Sequence, residues 1–379
     1  MLFKDIVGHS KLKDHLITSV SNGRISHAQM FVGKEGGGNF QIALAYAQFV
    51  NCLLPLTNDS CGKCSSCVKY KNFQHPDLNF FFPTAVSSYV KEKPSSKKHT
   101  KAWINFLKEN EYFNLSAWGD FIGIENKQTI INQLDSLDII KSFSLKNFEA
   151  KFKVNIIWWP EKMNIDCSNK ILKILEEPNP NSLFLLVGHN TDDLLATIIS
   201  RVQLIKVGDL SGKDIEQGLL VKEGIPVDLA NSLSKMSDGS FYDAIKSLRN
   251  PDGDEYFIEI FQTWMRLCYS VDFLKLNKLV DDIAKKDFGR EKQKRFLEYG
   301  MRIFRECIVY NYASKDLNRL HQKESIFNKK FAQFIHGGNI LELIEVFEHT
   351  HIGIVRNANP KIAFMNLSLK MCNFLKYKV

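Results

Sequence analysis

An α/β fold on a parallel sheet of the P-loop type, continued by a helices-only remainder, is predicted by three stretches of this 379-residue chain. The first is an apolar run, Met30-Phe31-Val32, then a glycine loop, Gly33-Lys34-Glu35-Gly36-Gly37-Gly38-Asn39-Phe40, then a helical run over 41–47. Strand, glycine loop and helix in that order form a phosphate cradle. The second is a pair of compact apolar runs, 153–159 and 183–187, with helical spacing between them. Such alternation marks buried parallel strands covered by helices. The third lies beyond Gly208, where strand patterns stop and helical spacing continues alone.

The length suits two or three domains: an α/β core over 1–208, a small helical unit over 209–250 and a helical domain over 251–379. Hydrophobic content of 44% and charged content of 24% are those of a globular protein. A net charge of +8 is a mild basic bias, compatible with work near nucleic acid. Lys4, Asp5 and His9 interrupt any signal-peptide order, and no uncharged run is long enough to span a bilayer. A cytoplasmic location away from membranes is therefore expected. In that reducing setting, clustered thiols point to metal rather than disulfides.

Taken in order, Leu12, Leu16, Ile17 and Val20 keep helical spacing up to the break at Asn22-Gly23. After the glycine loop, Phe40, Ala43, Leu44, Ala47 and Val50 form one apolar helix face ending at Cys52. An insertion is expected over 84–127. Its Lys91, Lys93, Lys97, Lys98 and Lys101 read as a solvated loop, with Trp103, Phe106 and Leu107 on a short packed helix. Residues 130–143 read as an amphipathic helix with Ile130, Leu134, Leu137 and Ile140 on its apolar face and Asp135 off it. The helix after Pro160 takes Asp166 as N-cap, turns Ile171, Ile174 and Leu175 inward, and stops at Pro178. A strand over 202–207 completes the sheet. Two or three short helices follow, broken at Gly224-Ile225-Pro226 and Asp238-Gly239, before a linker signal at Asn250-Pro251-Asp252-Gly253. Beyond it, long helices include one carrying Phe296, Met301, Phe304 and Ile308 and a last one over 360–374.

The chemistry of the glycine loop is altered. A P-loop places a lysine on the outer phosphates and a Ser or Thr hydroxyl on magnesium, whereas these positions hold Asn39 and Phe40. Gly33, Gly36 and Gly38 keep the backbone permissive, but Asn39 has no charge and Phe40 no hydroxyl. The strand that would end in magnesium-binding carboxylates ends instead in Trp158-Trp159. Cys52, Cys61, Cys64 and Cys67, with eight, two and two residues between them, can close a tetrahedron. Structural zinc is the preferred occupant of such a set; bystander thiols, an iron–sulfur cluster or disulfides are the alternatives. His75 reads as a loop histidine, and Cys167, Cys268, Cys307 and Cys372 as small apolar packing residues.

Several motifs come in a shared order: Phe3-Lys4-Asp5-Ile6-Val7-Gly8-His9, Arg24-Ile25-Ser26-His27-Ala28, the four cysteines, His75-Pro76-Asp77, residues 170–178 ending in Leu175-Glu176-Glu177-Pro178, and Ser200-Arg201. In these the chain resembles the bacterial clamp-loader AAA+ family and, within it, the delta-prime subunits of DNA polymerase III. The resemblance covers most of residues 1–250 and resumes at Arg356-Asn357-Ala358-Asn359-Pro360-Lys361. It implies an AAA+ module with a zinc insert, a helical lid over 209–250 and a helical collar. It also implies a place in a pentameric ring with motor subunits and a clamp-opening delta subunit, acting on the sliding clamp and primer–template DNA. No ATP hydrolysis in cis is expected, and Tyr242 takes the place of a nucleotide-sensing arginine in the lid. Arg201, with Ser200 in a Ser-Arg-Val version of a Ser-Arg-Cys motif, is implied to be a trans arginine finger.

On position alone, Arg201 reads as a surface arginine paired with a carboxylate, worth at most about 1 kcal/mol. Two other functions fit parts of the sequence: an ATP-hydrolysing motor subunit, and a zinc-containing DNA-binding module outside replication. Asn39 and Trp158 speak against the first, while the lysine-rich insertion supports the second.

Overall fold

The computed structural model describes residues 1–124, 127–249, 255–285, 288–313, 320 and 322–376. The chain forms two compact units, Met1–Ile124 with Gln128–Ile245, and a second running chiefly over Lys246–Val379. The linker signal at residues 250–253 lies outside the described residues.

The first unit is built on five parallel strands: β1 (Ala28–Val32), β2 (Leu78–Phe81), β3 (Lys153–Trp158), β4 (Ser182–Gly188) and β5 (Gln203–Lys206). They lie in the order β2-β3-β4-β1-β5, a P-loop-type parallel sheet. Met30 pairs with Leu186 of β4 on one side and with Leu204 of β5 on the other. Parallel neighbours need crossovers, so helices cover both faces. On one face lie α1 (Ser10–Ser21), α2 (Asn39–Val50), α3 (Ser65–Lys71), α4 (Ser96–Glu109) and α5 (Leu115–Phe121), packed on Phe31, Ile156 and Leu185. On the other lie α6 (Gln133–Ser144), α7 (Ile165–Glu176) and α8 (Ala196–Ile199), packed on Met30, Ile157 and Leu186. Successive strand residues point to opposite faces, which is why these runs are apolar throughout.

Three expectations change. The helix α6 starts at Gln133, and Leu134, Leu137 and Ile140 are exposed, Leu137 by 51%, while Asp135, Ser136, Ile139 and Phe143 are buried. Asp135 draws that face inward because its carboxylate accepts the Ser96 and Asn132 N–H groups, at 2.7 and 3.0 Å. The N-cap of α7 is Asn164, whose side chain accepts the Cys167 N–H at 2.8 Å, and Asp166 lies in the first turn. The insertion keeps its lysines exposed and Trp103, Phe106 and Leu107 packed on α4 as expected, but it adds a second helix, α5, and brings Phe113 and Trp118 into the core as well. The short edge strand β2 has no counterpart in the sequence reading.

Three helices close this part of the chain: α9 (Gly212–Glu223), α10 (Val227–Met236) and α11 (Phe241–Arg249). They break at Gly224 and at Asp238-Gly239, all with positive φ. The second unit holds α12 (Glu255–Ser270), α13 (Phe273–Ala284), α14 (Gly289–Tyr312), α15 (Gln322–Phe331), α16 (Ile340–Val355) and α17 (Pro360–Phe374). Its core gathers Phe261, Trp264, Phe296, Phe304, Phe347 and Phe364, with the Trp264 indole N–H donating to Ser368 Oγ at 2.8 Å. Cys268, Cys307 and Cys372 are buried in this unit, and Cys167 under the sheet. Among the described residues no helix is long and apolar enough to cross a membrane.

Candidate functional site

The glycine loop leaves β1, the strand between β4 and β5, at its carboxyl end, where open α/β sheets bind ligands. Gly33 has no room for a side chain, since a Cβ there would lie 2.7 Å from the Val207 carbonyl oxygen. Gly36 and Gly38 take φ of +68° and +106°, which L side chains rarely adopt. The loop therefore has a phosphate cradle's backbone, but its polar groups are turned to internal use. The Asn39 amide donates to the Gly188 carbonyl at 3.1 Å, and its oxygen accepts the Phe40 N–H at 3.0 Å. The Gly37 N–H donates to Lys34 O at 3.1 Å. His9 donates a ring N–H to the Gly37 carbonyl at 2.7 Å, and burial lowers its pKa, so the ring is neutral and carries that proton on Nε2.

The place of a magnesium-binding hydroxyl is a packed aromatic centre. The Phe40 ring lies 5.1 Å from Phe113, 5.9 Å from Trp103 and 6.5 Å from Trp158. Trp158 in turn lies 5.3 Å from Phe113. Rings at such spacings hold one another by edge and tilt contacts. The space left beside Gly36, Asn39, Trp158 and His189 is a cavity of about 10 Å³, the size of one water. Glu161, just beyond β3, accepts the His189 and Asn190 N–H groups, and burial raises its pKa.

Above the loop, the α10–α11 turn lies directly on the glycines. The Tyr242 N–H donates to the Gly36 carbonyl at 3.2 Å, and a Cβ at Gly36 would meet the Tyr242 Cβ at 2.4 Å. Lys34 forms an ion pair with Asp238 at 2.7 Å. Phe113 and Tyr112, which close the site from the insertion, escaped the sequence reading. Their signal was the run of aromatics continuing past Leu107 to 121, which extends the packed helix into a larger core.

The four cysteines come together as their spacing predicts. Their sulfurs all lie within 4.8 Å of one another, with Cys61 to Cys67 at 3.9 Å and Cys67 to Cys52 at 3.6 Å. A tetrahedron with Zn–S bonds of about 2.3 Å has edges of about 3.8 Å, so the set fits such an ion. Backbone N–H groups of Lys63 and Cys64 point at the Cys61 sulfur and bring its pKa down to about 6. Burial pushes Cys52 and Cys67 up, the condition a cation relieves. His75 stands outside the cluster: its ring lies 3.4 Å from a Glu149 oxygen, and burial lowers its pKa.

Arg201 sits just after α8, with its side chain 33% exposed. Its guanidinium pairs with Glu176 at 2.6 Å and donates to Thr197 O at 2.8 Å and Ser200 Oγ at 3.2 Å. The surface pairing read from position alone is thus present.

A profile of the family described as "DNA polymerase III, delta subunit" matches residues 8–211. Over 237 residues the chain is 28% identical to DNA polymerase III subunit delta' of Bacillus subtilis, spanning 62% of this chain and 58% of that protein. It is 25% identical over 252 residues to DNA polymerase III subunit tau/gamma of Haemophilus influenzae, spanning 64% of this chain and 30% of that one. In both cases less than two thirds of the relative's length is matched. Among solved structures, a DNA polymerase III gamma subunit-related protein from Thermotoga maritima is similar with a TM-score of 0.39 at 16% identity, covering 96% of this chain and 100% of that chain.

Proposed function

The chain belongs to the DNA polymerase III delta-subunit family, and from that premise we propose that it is a delta-prime-like subunit of a clamp loader, inactive as an ATPase in cis. The observation that carries this reading is the aromatic centre around Phe40 and Trp158. It stands where hydrolysis needs a hydroxyl and a carboxylate on magnesium. The match to a tau/gamma protein would alone suit a motor subunit, but Asn39, Phe40 and Trp158 oppose it together.

In this reading residues 1–208 are the AAA+ core, 209–250 the lid and 251–379 a collar. Gly33, Gly36, Gly38 and Asn39 shape a turn rather than hold phosphates. Cys52, Cys61, Cys64 and Cys67 bind structural zinc, with no coordination position left for chemistry. Arg201 reaches the ATP of a neighbouring motor subunit, exchanging its Glu176 partner for phosphate. Ser200, the other half of the motif, helps aim it. The partners are motor subunits and a clamp-opening delta subunit in a pentameric ring, acting on sliding clamp and primer–template DNA in the cytoplasm.

Co-purification with candidate motor and clamp-opening subunits tests the assignment. The expected result is a stable assembly, and no ATP turnover by the chain alone. Magnesium-dependent hydrolysis by the isolated chain would overturn it.

A further inference from the structure

Five consecutive residues of the insertion, Glu111 to Leu115, touch the glycine loop, the leading segment, α2, the end of β3, α9 and α11. The Gln41 side chain of α2 donates to the Glu111 carbonyl. The Glu111 carboxylate pairs with Lys222 of α9 at 2.6 Å. The Tyr112 hydroxyl accepts the Val7 N–H at 2.8 Å, and its ring stands 4.8 Å from Phe241 of α11. That same ring lies over the loop, with its edge 3.7 Å from where a Gly38 Cβ would be. Phe113 fills the space between Phe40 and Trp158. The Leu115 N–H donates to the Glu35 carboxylate at 3.2 Å.

We propose that residues 111–115 are a built-in stand-in for nucleotide, fixing the helices α9–α11 on the sheet in one arrangement without ATP. This rests on reading the loop as a P-loop that has lost its ligand. A lid held in place by a bound ligand shifts with ligand occupancy. Here the bridge is part of the chain. Tethering keeps its effective concentration high, so the closed arrangement does not vary with ATP. Tyr112 and Glu111 are the positioning residues on the lid side, and Phe113 is the anchor on the sheet side.

Hydrogen exchange on the full-length chain, read amide by amide, tests this. In the wild type, α9 and α10 exchange at the same rate with and without millimolar Mg-ATP. Tyr112→Ala speeds exchange in α9–α11 by about tenfold while β1, β3 and β4 keep their rates, because local opening is governed by local contacts. Lys222→Ala, a surface change that leaves the core alone, speeds α9 about twofold and decides the matter if Tyr112→Ala loosens the sheet as well. Protection of α9–α11 by Mg-ATP in the wild type overturns the proposal. So does wild-type exchange of α9 in Lys222→Ala. Neither outcome bears on Arg201, which acts from another edge of the unit and is read by turnover in the assembly.

Discussion

Phe40 occupies a hydroxyl's place in a magnesium site, yet its ring is 3% exposed and touches four other aromatic rings. Restoring the hydroxyl is therefore a core truncation before it is a repair. Phe40→Thr should destabilise the chain by about 3 kcal/mol or more, measured by denaturant unfolding, and Asn39→Lys combined with it should yield no ATP turnover. Asp77 makes a second residue-scale prediction. Burial would raise its pKa, but the backbone N–H groups of Glu149, Phe148 and Ala150 outweigh that and leave it lowered from 3.8. A carboxylate with a depressed folded-state pKa contributes stability above its unfolded value and loses it as pH falls through the folded one. Acid unfolding monitored below pH 3.8 should show this loss in the wild type and a flatter pH dependence in Asp77→Asn.

The cysteine loop is the element whose chemistry the sequence states most openly. The spacing brings the sulfurs within reach, since Cys61 precedes α3, Cys64 caps it and Cys67 lies in its first turn, while Cys52 lies just past α2, which ends at Val50 rather than at Cys52. Elemental analysis should find one zinc per chain, and Cys64→Ser should lower both metal content and melting temperature. A metal-free preparation of unchanged stability would count against zinc. The strands β1, β3 and β4 were legible for a similar reason: burial on both faces writes a continuous apolar run. The short strand β2 and the orientation of α6 were not. Four residues at a sheet edge carry too little pattern, and α6 is turned by Asp135, a carboxylate buried on bonds from Ser96 and Asn132. The bond from Ser96, 39 residues away, overrides local periodicity, as does the packing that adds Phe113 and Trp118 to the aromatic core.

At the scale of the whole molecule, the altered positions are consistent with one another. Asn39, Phe40 and Trp158 each stand where a P-loop ATPase carries a lysine, a hydroxyl or a carboxylate, and a cavity of about 10 Å³ lies beside them. Arg201 remains on the surface beside α8, held by Glu176 in a pairing weak enough to exchange, since exposed ion pairs are worth about 0–1 kcal/mol. The loop's chemistry was readable from the sequence because it lies in consecutive residues. The finger role proposed for Arg201 comes from the resemblance alone, because its own neighbours, Glu176, Thr197 and Ser200, describe only a surface pairing.

The most direct measurement is steady-state ATP turnover by the assembly reconstituted with motor subunits and either wild-type chain or Arg201→Ala. An arginine finger is worth about three to five orders of magnitude at the site it serves. The account predicts that Arg201→Ala assembles normally, as judged by co-elution, and sharply depresses turnover at that site. Normal assembly with unchanged turnover would contradict it.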